Sequence, residues 1–318
     1  MKAMEGAPEG GSWLRLYQKA RWIVRDLAFA NPSLDFDELL FVKRKWPNVN
    51  HQCSHQVGEA QLPPANLCVL KGLQGDGQVR ELLTGEMAAG GIGRPDLSFD
   101  ARRIVFPYAA PRRPATTYGI GAHGARGGSC FAYDICEVGI DGSNPHKLTD
   151  TPEIEDTEPC YLPGGRIAFT TSREGRYVQC GDWALVCGIF WMNADGRDVH
   201  KITETQEGEF YPGMLEDGRI LYTRWDYIMK GYNVIQQLWT VNPDGTRAQL
   251  AFGDWYAFSP GPIGLYEARQ IPGTNKLIAT GAAHHNTGVG PVMIVDLDRN
   301  RLGPSGMLNV TPEICSTR

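Results

Sequence analysis

Trp191-Met192-Asn193-Ala194-Asp195-Gly196, running on to Ile202-Thr203, decides the fold because the phrase comes back. An earlier copy, Val138-Gly139-Ile140-Asp141-Gly142, leads to Leu148-Thr149. A later one, Trp239-Thr240-Val241-Asn242-Pro243-Asp244-Gly245, leads to Leu250. The turn glycines stand 54 and 49 residues apart (196 − 142 and 245 − 196). Each copy reads as a strand, a tight Asp-Gly hairpin that needs positive φ, and a short outer strand. A period near fifty residues with several short strands per unit is the signature of a β-propeller, one blade per repeat.

A second phrase keeps the same beat. Pro163-Gly164-Gly165-Arg166 enters Ile167-Ala168-Phe169-Thr170, and Glu216-Asp217-Gly218-Arg219 enters Ile220-Leu221-Tyr222-Thr223, with the glycines 53 apart (218 − 165). Weaker copies are Asp100-Ala101-Arg102-Arg103 before Ile104-Val105-Phe106, and Pro272-Gly273-Thr274-Asn275-Lys276 before Leu277-Ile278-Ala279-Thr280. Together they predict five units near 36–85, 94–150, 156–204, 208–252 and 264–312. Glu158-Pro159-Cys160-Tyr161-Leu162 and Tyr211-Pro212-Gly213-Met214-Leu215 read as innermost strands, where proline is tolerated because the edge faces the tunnel.

The first unit lacks a clear inner strand, and the sequence ends just after the outer strand Leu308-Asn309-Val310-Thr311. Propellers protect their edges by closing. The expectation is therefore an all-β, six-bladed-type propeller over 34–318, cut short, with the native chain continuing past Arg318 into a sixth blade. Residues 1–33 form an N-terminal segment with a helix over 12–30, capped by Ser12 and stopped by Asn31-Pro32. Leu14, Tyr17, Ala20, Ile23, Val24, Leu27 and Ala28 recur at helical spacing, and Arg15, Lys19, Arg21 and Arg25 spread over the opposite, solvated side.

Composition narrows the function classes. Gly 38 and Pro 21 in 318 residues suit an all-β chain that turns every few residues. A net charge of −5 lacks the basic stripe of a nucleic-acid surface. No apolar run approaches a membrane span, and Met1 to Ser12 has no signal-peptide core. The eight cysteines form no CxxC pair and CxxCH is absent, so neither a zinc ribbon nor covalent haem attachment is encoded. There is no G-x-S-x-G elbow, since Gly303-Pro304-Ser305-Gly306 lacks its strand-to-helix context. Gly119-Ile120-Gly121-Ala122-His123-Gly124 has no helix behind it and reads as an insertion.

The units resemble the TolB-like, WD40-like propeller repeat. Longer phrases narrow the resemblance: Asn31-Pro32-Ser33-Leu34-Asp35-Phe36 through Arg44, Pro159 through Arg173, Leu221-Tyr222-Thr223-Arg224-Trp225-Asp226-Tyr227, and Ile271-Pro272-Gly273 through His284-His285. Over residues 30–312 the chain is similar to the propeller middle domain of proteins related to the hydrazine synthase alpha subunit. The resemblance implies a propeller within a large exported, periplasmic or otherwise extracytoplasmic protein. Hydrazine synthase chemistry needs covalently attached haem, and the attachment motif is missing here, so the resemblance carries over the propeller and not the activity; any haem redox chemistry would lie in adjoining domains.

Several residues stand outside the repeat. His51, Cys53 and His55 alternate, so an extended backbone would put two imidazoles and a thiolate on one face, a set that suits zinc. The bland alternative is a polar loop. His284 and His285, followed by a glycine-rich stretch, are candidates for a small ligand at the propeller mouth. Arg173, Arg224 and Asp226 leave equivalent strands and could form a polar ring for a ligand, or Arg-Asp pairs tying blades together. Cys160, Cys180 and Cys187 fall in one unit; the readings, in order, are buried thiols, a Cys160–Cys180 disulfide and metal binding.

No catalytic constellation emerges. The expected role is a non-catalytic scaffold or binding module that engages adjoining domains, subunits or a small ligand. Two further readings are the gating propeller of a prolyl oligopeptidase-like serine peptidase, and a metal-binding or electron-transfer domain using His51, Cys53 and His55.

Overall fold

The computed structural model describes residues 10–45, 64–73, 77–111, 133–152, 154–179, 185–227, 236–253, 262, 264–283 and 288–312. The chain divides into two compact units, residues 1–41 with 67–81 and residues 42–66 with 82–318.

The first unit carries helix α1 (Gly10–Phe29). The helix starts two residues before Ser12, which therefore lies inside it rather than capping it. Arg25 lies against Phe29 at 4.7 Å and Trp22 at 5.2 Å, and its guanidinium donates to the Leu73 carbonyl. Trp13, Leu14, Tyr17, Ile23, Val24 and Leu27 are all exposed, so the apolar stripe is present but uncovered. Strands β1 (Glu38–Arg44), β2 (Ala65–Lys71) and β3 (Gln78–Glu81) form a three-stranded sheet in the order β1-β2-β3. This is the first repeat of the sequence, with three strands among the described residues.

In the second unit the remaining repeats become four blades. The first blade holds β4 (Gly91–Ile92) and β5 (Asp96–Leu97), which both pair with β6 (Arg103–Ala109), followed by β7 (Asp134–Gly139) and β8 (His146–Lys147). The second runs β9 (Asp156–Leu162), β10 (Arg166–Thr171), β11 (Gly188–Asn193) and β12 (His200–Lys201). The third runs β13 (Gly208–Met214), β14 (Ile220–Trp225), β15 (Gln236–Val241) and β16 (Gln249–Phe252). The fourth runs β17 (Gly264–Gln270), β18 (Lys276–Ala282), β19 (Val292–Asp296) and β20 (Met307–Asn309). Within each blade the strands are antiparallel, and one parallel pairing, Gln236 to Gly264, joins the last two blades.

Blades stack through apolar faces. Val105 and Ile135 of the first blade meet Tyr161, Ile167 and Phe169 of the second. Ile189 and Ile202 of the second meet Ile220, Tyr222 and Val241 of the third. Fully burying such a side chain stabilises by about 1.5–3 kcal/mol each, which is why β-branched and aromatic residues fill these strands.

The recurring turn glycines serve this stacking as well as the hairpin. Gly142, Gly196 and Gly245 adopt φ of 88°, 81° and 83°. An added Cβ at each would lie 2.8, 2.1 and 2.7 Å from the carbonyl oxygens of Leu82, Leu148 and Ile202. Each turn thus presses on the closing Leu or Ile of the preceding repeat. Both halves of the repeated phrase meet at the seam between repeats.

Candidate functional site

The innermost strands share a defect. β9, β13 and β17 each lose register against their partner, between Ala168 and Thr170, Phe210 and Gly213, and Tyr266 and Arg269. At these bulges Glu158, Tyr211 and Glu267 take left-handed φ of 52°, 59° and 54°. Non-glycine residues rarely do so, and clusters of them mark turns, strain or function. Arg94 stands at the matching place of the first blade, in the break between β4 and β5. A proline follows three of the four, as Arg94-Pro95, Glu158-Pro159 and Tyr211-Pro212. Proline lacks the N–H that a ladder would need, so it suits a bulge on an edge strand.

These positions converge on one cavity of about 510 Å³, lined by Arg44, Arg94, Tyr133, Glu158, Tyr211, Tyr266, Glu267 and Thr280 among others. Its volume lies within the range of about 300–1,000 Å³ usual for small-molecule sites. Glu158 is 4% exposed and Tyr133 is 2% exposed. Oε2 of Glu158 accepts the Thr170 hydroxyl at 2.8 Å and the Tyr211 backbone N–H at 2.6 Å. Oε1 of Glu158, Nη1 of Arg94 and the Tyr133 hydroxyl are buried and have no protein partner. Arg94 uses Nη2 instead, donating to the Pro212 carbonyl at 3.4 Å.

Burial pushes the Glu158 carboxyl up to about 8, against the opposing pull of its two hydrogen bonds and of Arg94. The acid is therefore mostly neutral at pH 7. Burial likewise holds the phenols of Tyr133 and Tyr211 well above their usual range, so both keep their protons. The rings of Tyr211 and Tyr266 lie 5.6 Å apart and wall one side.

The residues singled out in the sequence lie elsewhere. Arg173 follows β10 and pairs with Asp156 of β9, also donating to Thr171 at 2.7 Å and Thr151 at 3.2 Å. Arg224 joins Asp226 at 2.9 Å and Glu209 of β13 at 3.4 Å. Both arginines thus tie strands within a blade. Arg224 and Asp226 also line a separate recess of about 610 Å³ with Glu174, Arg176 and Tyr227. Cys160 is a buried thiol outside any disulfide, which removes the Cys160–Cys180 bond. His51, Cys53, His55, His284, His285 and Cys180 lie outside the described residues. Among the described residues no group of three or more His, Cys, Asp or Glu could hold a metal ion. No described helix is long and apolar enough to cross a membrane.

Sequence reasoning missed Arg94, Tyr133, Glu158 and Glu267. The signal for three of the bulges was the X-Pro pair on each inner strand. It reads as tolerance of proline until the register slip shows that the preceding side chain turns into the cavity's wall.

The fold has known counterparts. The hydrazine synthase of Kuenenia stuttgartiensis superposes with a TM-score of 0.64 at 14% identity, over 86% of this chain and 39% of that one. TolB from Acinetobacter baumannii superposes with a TM-score of 0.54 at 13% identity, over 90% of this chain and 57% of that one. The chain thus spans less than two thirds of the length of either. No family model and no curated protein matches the sequence. At such identities the likeness is one of fold: the chain is a TolB-like β-propeller that resembles hydrazine synthase.

Proposed function

We propose that this chain is a binding propeller, a module of a larger exported protein that holds a small polar molecule in its axial cavity. One observation carries the reading: Arg94, Tyr133 and Glu158 line a single cavity, and each keeps a buried polar atom (Nη1, the hydroxyl and Oε1) with no protein partner. Buried polar atoms left unmatched cost about 1–3 kcal/mol each, and a bound ligand would recover that. The repeat itself is occupied with building blades, which leaves recognition to the non-equivalent residues at the bulges. The modular role is supported by the 39% share of the hydrazine synthase chain that the propeller covers. In this reading any haem redox chemistry belongs to adjoining domains or subunits.

A thermal-shift screen of the chain against a panel of charged and polar small molecules tests the cavity. At least one compound is expected to raise the unfolding midpoint, and Glu158→Leu is expected to abolish that rise while still unfolding cooperatively. A panel that shifts wild type and Glu158→Leu equally would refute the reading.

A further inference from the structure

The unmatched atoms also specify what they would accept. Oε2 of Glu158 already takes two hydrogen bonds, from Thr170 and Tyr211, so a proton on this acid resides on Oε1, the unpartnered oxygen. While neutral, Glu158 is thus a donor at Oε1, and only its ionised form is an acceptor there. Arg94 offers an N–H from Nη1 that meets no acceptor. The Tyr133 hydroxyl is a third buried group without a partner.

Charge decides between an anionic and a cationic guest. The groups bearing on Glu158 are Thr170 of β10, Tyr211 of β13, Arg94 of the first blade and Glu267 of β17. Thr170 and Tyr211 are spent on Oε2, and Glu267 disfavours a second negative charge beside it. An ionised Glu158 would offer Arg94 a carboxylate, yet the guanidinium turns to a backbone carbonyl at 3.4 Å. What remains in the lining is two guanidiniums, Arg44 and Arg94, against the one carboxylate of Glu267, with an acid O–H and a phenol O–H beside them, which favours an anionic guest. Charge-assisted hydrogen bonds to an oxyanion are the strongest that such donors form.

We propose that the axial cavity is a site for a small organic carboxylate, its oxygens accepting from Arg94 Nη1 and Glu158 Oε1, its remainder against Tyr211 and Tyr266. This deepens, and rests on, the reading of the cavity as a binding site. The class is set by the oxyanion; the rest of the molecule is limited by the volume of about 510 Å³.

Neutral Glu158 donates to the guest, whereas ionised Glu158 repels it. With this acid at about 8, affinity for a carboxylate falls about tenfold between pH 7 and pH 9. A cationic guest would show the opposite trend. Calorimetry on the 318-residue chain with acetate, succinate and benzoate, beside benzylamine as a cationic counterpart of benzoate, separates the two. The expected result is binding of at least one carboxylate at pH 7, weakened about tenfold at pH 9.

Glu158→Gln keeps an N–H donor, so it is expected to bind the same probe with no such pH dependence. Arg94→Gln is expected to lose at least about tenfold in affinity at pH 7. Benzylamine binding without any carboxylate binding overturns the carboxylate assignment and leaves the cavity reading intact. Failure of all three carboxylates also overturns the assignment. If the wider panel then shifts wild type and Glu158→Leu alike, the cavity reading falls with it.

Discussion

The backbone N–H of Tyr211 donates to Oε2 of Glu158 at 2.6 Å, and the two residues occupy the same bulge position in neighbouring blades. Both are left-handed, at φ of 59° and 52°. A bulge leaves its extra residue outside the ladder, so Tyr211 has an N–H to place. The side chain of the preceding blade's bulge residue takes it. One carboxyl thereby satisfies a neighbour's strained backbone with one oxygen and keeps the other buried without a protein partner.

Stability is expected to fall as the solution becomes alkaline. Burial raises Glu158 from 4.5 to about 8 and Glu209 from 4.5 to about 7. The folded state then holds protons that the unfolded state has released. Their stabilisation is fully present below about pH 4.5 and is lost as pH rises through 7 and 8. Urea midpoints measured from pH 5 to pH 9 should drop by the equivalent of about 6 kcal/mol. The Glu158→Gln, Glu209→Gln double variant should flatten most of that slope; a wild-type midpoint that stays level or climbs over this range contradicts the assignment.

Two glycines with similar φ should respond very differently to alanine. Gly196 has φ of 81° and its Cβ would fall 2.1 Å from the Leu148 carbonyl oxygen. Gly164 has φ of 78° with nothing within 4 Å. Gly164→Ala meets only the backbone penalty, about 1 kcal/mol. Gly196→Ala must also push the preceding blade aside, for about 3 kcal/mol or more in total. Equal losses in equilibrium unfolding would mean that the turn does not carry the seam.

Arg173 compensates a carboxylate with no access to water. Asp156 is 0% exposed, accepts the Thr171 hydroxyl at 2.6 Å, and pairs with Arg173 through the same oxygen. Arg173→Leu strands that charge and should destabilise by about 3–5 kcal/mol. Adding Asp156→Asn should recover more than half of the loss, because the charge is gone. Strictly additive losses in the double variant would show that the two side chains do not depend on each other.

Two buried thiols, Cys136 and Cys160, should be silent in the folded protein. Cys136 is pushed up to about 12 by burial and the Asp134 carboxylate, and Cys160 is raised further by burial and Asp96. Thiolate is the reactive form, so iodoacetamide should label Cys136 and Cys160 only after unfolding. Peptide mapping by mass spectrometry reads this out directly; native labelling of Cys160 at the rate of an exposed thiol would contradict its placement.

The blades were legible because their determinants are local and repeated. An Asp-Gly pair bends the chain wherever it occurs, and Gly142, Gly196 and Gly245 mark three copies of one hairpin. The apolar runs after Gly165 and Gly218 pair with the nearest strand in sequence, so five units could be outlined from spacing alone, four of them as full blades.

The cavity was not legible, and the reason is geometric. Its members hold one position in each repeat but differ in kind: arginine at 94, glutamate at 158 and 267, tyrosine at 211. A search for repetition therefore passes over them, while the repeated Arg173 and Arg224 draw the eye and settle into pairs within their blades. By itself, the sequence determined the turns, the blade period and the apolar faces, because those depend on neighbours a few residues away. Only the tertiary structure decided that side chains more than fifty residues apart share one space, because bulge and strand packing set which side chains lose water and which polar atoms go without a partner.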